Sequence, residues 1–390
     1  MSPARRLNGV KSSPVRDLLA LTLRPEVISF AGGLPAPELF DVDGWRDAFT
    51  KAADDRRNLQ YGPTEGDPLL RTLIAQRMTT RGVPTTERDV LVTTGSQQAL
   101  TLVTTTLVEP GDVVAVEEPT YLAALQCFQL AGARVVPVAS DDQGMVPSSL
   151  EEVLKRDRPT LVYVVPTFAN PSGRTQPTTR RKEIAALAEE HNTWLVEDDP
   201  YGELRYEGDP VPPLASHSDR VLYLGSLSKI GTPGLRLGWL RAPQELMPST
   251  VIAKQAADLH TSTIDQSAAS IYLSNTDMNA HVAMLCQAYR ERRDTMLKAL
   301  PTTVPKGTTW TTPAGGMSVW LRLPGTPNTA DVLKQALTHN VAFVPGAPFY
   351  ATNPDHATFR MSFTTNPPED ITEGMQRLAN ALTTLPTNTP

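Results

Sequence analysis

Val221-Leu-Tyr-Leu-Gly225-Ser-Leu-Ser-Lys229-Ile-Gly-Thr-Pro-Gly-Leu-Arg236-Leu-Gly-Trp-Leu240 holds two short β-rich apolar runs, Val221–Leu224 and Leu235–Leu240, joined by a turn of small residues. The gap has almost no room for a helix, so one of the two strands is expected to run antiparallel. Upstream the pattern differs. Val90–Thr94, Val113–Glu117, Val135–Ala139, Leu161–Pro166 and Trp194–Glu197 are runs of the same kind, and most alternate with helical segments such as 97–108, 121–131 and 177–191. Short apolar strands separated by helices predict an α/β fold with a mostly parallel seven-stranded sheet covered on both faces. Helical patterns at 44–57 and 68–81 precede the sheet, after an arm with one short helix and a Gly/Pro-rich loop. A long helix over 279–300 leads to a sparser α+β region. Strands are expected there near 308–323, 341–344 and 357–363, with helices at 330–339 and 369–384.

The chain has 390 residues, long enough for a large core without covalent staples and for two or three domains. Two cysteines, Cys127 and Cys286, exclude a disulfide framework and a cysteine-rich zinc site, and no metal is expected. Basic residues number 36 against 42 acidic ones, a net charge of −6 with no dense Lys/Arg cluster, which argues against a nucleic-acid surface. No segment approaches the roughly 18 apolar residues of a membrane helix. The basic N-terminus lacks an apolar signal core, and Pro14 and Asp17 argue against a transit peptide, so the expected setting is the reducing cytoplasm.

Ligands of a parallel α/β sheet gather at the carboxyl ends of its strands. Thr94-Gly-Ser-Gln-Gln-Ala-Leu100 is a small-residue turn opening a helix, whose free amides beside Ser96 and Gln97 suit a phosphate. A glycine turn with an N-cap serine explains most such segments by itself. The next strand ends place Tyr121, then Asn170 in a Asn-Pro-Ser-Gly turn, then Glu197-Asp-Asp-Pro-Tyr201, then Lys229 among Ser226, Ser228 and Arg236. Each has a plain structural reading: core aromatic, turn former, helix cap. Together they offer a phosphate cradle, a ring plate, an anion and an amine on one rim. Pyridoxal 5'-phosphate needs all of these.

These motifs closely resemble the class I/II aminotransferases of pyridoxal-phosphate fold type I, and within them the 2-aminoadipate and kynurenine aminotransferase subgroup. The resemblance runs from Ile28-Ser-Phe-Ala-Gly-Gly-Leu-Pro-Ala-Pro-Glu-Leu-Phe40 to Phe359-Arg-Met-Ser-Phe363 and includes Leu59-Gln-Tyr-Gly-Pro-Thr-Glu-Gly66. It implies amino transfer between an L-amino acid and a 2-oxo acid by a ping-pong route, in a homodimer with active sites at the interface. It also implies an arm and part of a small domain over 1–45, a cofactor domain over 46–285, and the rest of the small domain over 286–390. Elimination, decarboxylation or oxidation on the same fold is the alternative chemistry. A regulator with a DNA-binding domain is the other alternative, but the roughly 30 residues before the family-like region are too few for a winged helix.

Carried residue by residue, the resemblance makes Lys229 the Schiff-base lysine and proton shuttle, and Asp198 the partner of the pyridine nitrogen. Tyr201 and Asn170 hold the phenolic oxygen and Tyr121 stacks on the ring. Ser96, Gln97, Ser226, Ser228 and Arg236 hold the phosphate, with Tyr61 reaching the phosphate of the other subunit. Arg360 clamps the substrate carboxylate bidentately, which lysine does poorly. Gly33, next to Gly32, lets backbone approach the substrate. Arg24, Phe349 and Gly316 are further substrate-side candidates. Side-chain choice is assigned to mobile loops at 15–40 and 258–276. Asp67 departs from the family pattern, where an aromatic residue is common, and adds a charge near the dimer-interface loop.

Overall fold

A computed structural model describes residues 4–7, 10 and 24–383. Seven strands form its main sheet: β1 (Val90–Thr93), β2 (Val113–Glu117), β3 (Arg134–Val138), β4 (Leu161–Val164), β5 (Trp194–Asp198), β6 (Val221–Ser226) and β7 (Gly238–Arg241). Their order is β1-β7-β6-β5-β4-β2-β3. The expected reversal falls on β7, which runs antiparallel to both β1 and β6. It starts at Gly238 rather than Leu235, because Pro233–Leu235 forms a 3-10 turn and Arg236 adopts a left-handed conformation with φ 53°. The remaining pairings are parallel.

Alternation along each strand feeds two separate cores. Val162, Leu195, Val221 and Tyr223 join one apolar cluster, while Leu161, Tyr163, Val196, Leu222 and Leu224 join the other. Helices Ser96–Leu107 and Leu122–Leu130 cover the second face, and Thr178–Glu190 covers the first. Three further helices, Pro147–Asp157, Met247–Ala257 and Thr263–Asn275, have no counterpart in the sequence reading. The last corrects the expectation of a mobile loop at 258–276. Its sequence is polar and small, and tertiary packing decides: Ala268, Ala269 and Tyr272 are buried, and Tyr272 stacks on Trp45 with ring centroids 3.9 Å apart. Asp67 has a local role as N-cap of helix Pro68–Thr80, accepting from the Leu70 amide at 2.8 Å.

A second sheet of Thr309–Trp310, Ser318–Arg322, Thr358–Ser362 and Val344–Pro345 follows the 26-residue helix Met278–Thr303. Ile28–Ser29 pairs in parallel with Val341–Ala342, tying the N-terminal segment to this part of the chain. Of the expected arm, the structure describes a short 3-10 turn at Arg5–Leu7, while residues 11–23 lie outside the described set. No helix among the described residues is long and apolar enough to cross a membrane.

Glycine at 225 is a packing requirement. It faces Trp239 on the neighbouring strand, and a Cβ there would run into the indole ring. Overpacking of this kind costs ~1–3 kcal/mol. Gly225→Ala should lower the thermal unfolding midpoint measurably against the parent, and an unchanged midpoint would show that Trp239 yields without strain.

Candidate active site

The carboxyl ends of the parallel strands open onto one cavity of about 320 Å³. It is lined by Gly33, Ser96, Gln97, Tyr121, Asn170, Asp198, Tyr201, Ser226, Ser228, Lys229, Arg236 and Arg360, all singled out from the sequence. Four candidates lie elsewhere. Tyr61 is 79% exposed, and Arg24 is also exposed. Phe349 is buried behind Arg360, whose guanidinium sits 5.4 Å over its ring. Gly316 packs against Phe168.

Lys229 follows the end of β6, and its Nζ donates to the Gly33 carbonyl at 2.8 Å. That bond joins the Gly32-Gly33 loop to the main sheet. Enclosure lowers the amine's pKa to about 8, the Arg360 and Arg236 charges act in the same direction, and Asp198 opposes them.

Asp198 ends β5. Its Oδ2 accepts from the Tyr163 hydroxyl at 2.7 Å, while Oδ1 is buried with no partner among the described residues. Burial raises this carboxyl to about 6. The Tyr163 bond works against burial, the Asp199 charge adds to it, and Lys229 lowers it. An unpaired buried carboxylate oxygen is costly; an N–H donor placed in the cavity would remove that cost. Tyr163 escaped the sequence reading because a mid-strand tyrosine reads as core.

Gly95 has φ +79°, and a Cβ there would meet the Arg236 guanidinium. A Cβ on Gly238 would come within 2.6 Å of the Ser96 amide. Two glycines therefore let Arg236 and the first turn of helix Ser96–Leu107 close around one point, where free amides and a guanidinium suit a phosphate. Ser226 Oγ is already engaged, accepting from the Ser228 amide at 3.0 Å and donating to the Leu237 carbonyl at 3.3 Å. Its contribution is to shape the turn.

Arg360, only 3% exposed, enters from the second sheet. Its Nη1 donates to Asn170 Oδ1 at 2.7 Å and its Nη2 to the Ala31 carbonyl at 2.6 Å, leaving Nε without a partner among the described residues. Asn170 also bonds the Tyr201 side chain. Burial pushes the Tyr201 phenol well above its usual range and the Tyr121 phenol to about 12, so both remain hydroxyl donors.

Sequence reasoning missed the apolar part of the lining: Leu34, Leu122, Ala123, Val165, Pro200 and Pro233. Val165 directly follows the end of β4 and Pro200 lies two residues past the end of β5, so the strand-end rule pointed at both, while Leu34 follows the Gly-Gly pair.

The family model for aminotransferases of class I and II matches residues 26–378. An aromatic-amino-acid aminotransferase of Thermococcus litoralis is 42% identical over 96% of this chain and 92% of its own length. A 2-aminoadipate transaminase of Thermus thermophilus is 40% identical over 96% of this chain and 94% of its own. Among solved structures, a kynurenine aminotransferase of Pyrococcus horikoshii in complex with PMP superposes with a TM-score of 0.93 at 39% identity, over 98% of this chain and 96% of that one.

The lowered pKa of Lys229 has a direct readout. Reductive trapping of an aromatic aldehyde on the cofactor-free protein should rise through a midpoint near pH 8, as the amine loses its proton, and Lys229→Ala should abolish it. A midpoint at the ordinary lysine value of 10.5 would contradict the electrostatics of the cavity.

Proposed function

The chain belongs to the class I and II aminotransferases, and from that premise we propose that its cavity takes 2-amino acids with apolar side chains, with Arg360 holding their carboxylate and Lys229 moving their proton. The protein is a pyridoxal-phosphate-dependent transaminase, exchanging an amino group between an amino acid and a 2-oxo acid.

The residues fit the cofactor on three independent points. Asp198 Oδ1 is a buried acceptor awaiting a donor, the Gly95–Gly238 gap leaves an anion cradle beside Arg236, and Lys229 is an amine of lowered pKa. When bound, pyridoxal phosphate supplies an electron sink for the bond broken at the substrate Cα. Asp198 Oδ1 would hold the ring nitrogen's proton, with Tyr163 orienting that carboxylate. Tyr201 and Asn170 would donate to the phenolic oxygen, and Tyr121 would cover the ring. Ser96, Gln97, Ser228 and Arg236 would hold the phosphate. Lys229 Nζ, whose proton affinity burial and the two arginines lower, would carry the substrate proton from Cα to the cofactor within one half-reaction and in the reverse direction in the other. Arg360 meets the α-carboxylate with its planar donor fork, which a point-charge ammonium cannot match.

Substrate class rests on the wall formed by Leu34, Leu122, Ala123 and Val165. Among the described residues, each cation lining the cavity already has a role: Lys229, Arg236 and Arg360. A distal carboxylate would therefore meet apolar surface, at the cost of desolvation. This supports aromatic or aliphatic donors, and the Thermococcus litoralis relative is named for the aromatic ones. In an amino-donor panel, phenylalanine and leucine should exceed aspartate and 2-aminoadipate in kcat/KM by at least ~10-fold. The reverse order would refute the assignment.

We assign residues 46–285 to a cofactor domain and residues 1–45 with 286–390 to a smaller one. The Ile28–Ser29 to Val341–Ala342 pairing supports the joining of both ends, and helix Met278–Thr303 runs across the boundary as a spine. Two free cysteines accord with a cytoplasmic setting. Exposed Leu59, Tyr61, Leu69, Ile252 and Leu259 support a homodimer whose second copy covers them, with Tyr61 reaching the partner's phosphate. Light scattering should give twice the chain mass, and a monomer at micromolar concentration would rule the dimer out.

A further inference from the structure

Lys254 is a buried cation to which the roles above give no task. It lies on helix Met247–Ala257 and is 0% exposed. Its ammonium donates to Asp258 Oδ1 at 2.8 Å, Gln98 Oε1 at 3.0 Å and Thr261 Oγ1 at 3.1 Å. A lysine has three donors, and all three are met here.

Two branches leave this point. Gln98 Oε1 also accepts from the Thr94 amide at 2.7 Å, and Gln98 Nε2 donates to Asp258 Oδ2 at 2.6 Å. Thr94 Oγ1 reaches that same carboxylate oxygen at 3.0 Å. The turn that lifts Ser96 and Gln97 into the cavity is thus tied to one ion pair by main chain and side chain together. On the other branch, the Thr261 carbonyl accepts from Gln266 Nε2 at 2.7 Å, and Gln266 Oε1 accepts from the Asp67 amide at 2.7 Å. His260 Nδ1 lies 2.9 Å from the same carbonyl, and its ring stands edge-on to Tyr61 at 5.7 Å.

We propose that Lys254 is a positioning residue for the phosphate end of the cofactor site, fixing the Thr94–Gln98 turn and the Tyr61 segment in one charged network. The proposal rests on the cofactor reading above. A buried ammonium with every donor engaged resists displacement of any partner, because a lost bond leaves a charge uncompensated. The turn is thereby held in its anion-binding shape before any anion arrives, which is the condition for strong binding by backbone amides.

The test titrates cofactor-free protein with pyridoxal phosphate and, separately, with pyridoxal, following the absorbance of the bound chromophore. Lys254→Met and Gln98→Ala should each raise the Kd for pyridoxal phosphate at least ~10-fold while that for pyridoxal stays within ~2-fold. A general loss of structure weakens both ligands alike, so equal losses overturn the proposal, as does a pyridoxal phosphate Kd within ~2-fold of the parent. Should Lys254→Met fail to fold, Gln98→Ala decides alone, since it leaves the Lys254–Asp258 pair in place. A parent protein that forms no band with pyridoxal phosphate is a different result: it removes the cofactor reading and this inference together.

Discussion

Lys229, Arg236, Arg360 and Asp198 line one cavity, three cations against one anion, with Asp198 and Arg360 buried, Lys229 half-buried and Arg236 exposed. This imbalance governs the chemistry. Together with burial it lowers the Lys229 pKa to about 8, and it suits a dianionic phosphate and a carboxylate arriving together. Asp198 Oδ1 and Arg360 Nε are buried polar atoms without partners among the described residues, a state that burial makes costly and that a ligand would relieve. The site carries this strain because the surrounding fold over-determines it.

That support comes from buried charges outside the cavity. Arg181 is fully buried and binds the Pro166 and Gln176 carbonyls and Thr167 Oγ1, clamping both ends of the loop that presents Asn170. Its carboxylate neighbour Glu197, 3.8 Å away, accepts the Leu214 and Ala215 amides at 2.9 and 2.8 Å. Burial and the Asp199 charge push Glu197 up to about 7. Asp199 is itself paired with Arg81 at 2.6 Å and accepts from the Tyr223 hydroxyl at 3.0 Å. Removing one partner from such a buried pair costs ~3–5 kcal/mol. These groups therefore act as fixed anchors, and the loops between them hold their shape.

Much of the fold was legible because strand periodicity and helix length are local properties. Val113–Glu117 was read with the bounds it has, and the short gap between β6 and β7 foretold the reversal. Helix Thr263–Asn275 was not legible, since Thr, Ser and Ala carry little periodic signal and its burial against Trp45 is a long-range event. Pro147–Asp157 has no such excuse: Leu150, Val153 and Leu154 stand at helical spacing behind a proline at the first turn, so its signal is local.

Of the site, the sequence by itself determined which residue types stand at successive strand ends, and so the cofactor chemistry they can serve. The order of motifs along the chain becomes proximity on one rim because parallel strands all point the same way. Resemblance singles out Asp198 among Glu197, Asp198 and Asp199, and the tertiary structure supplies the physical distinction, turning Asp198 toward Tyr163 while Asp199 meets Arg81 and Glu197 meets Arg181. It also brought Arg360 onto Asn170 across 190 positions of sequence, and Lys254 onto Gln98 across 156. Those contacts depend on packing of whole elements against one another, and no local pattern of residues encodes them.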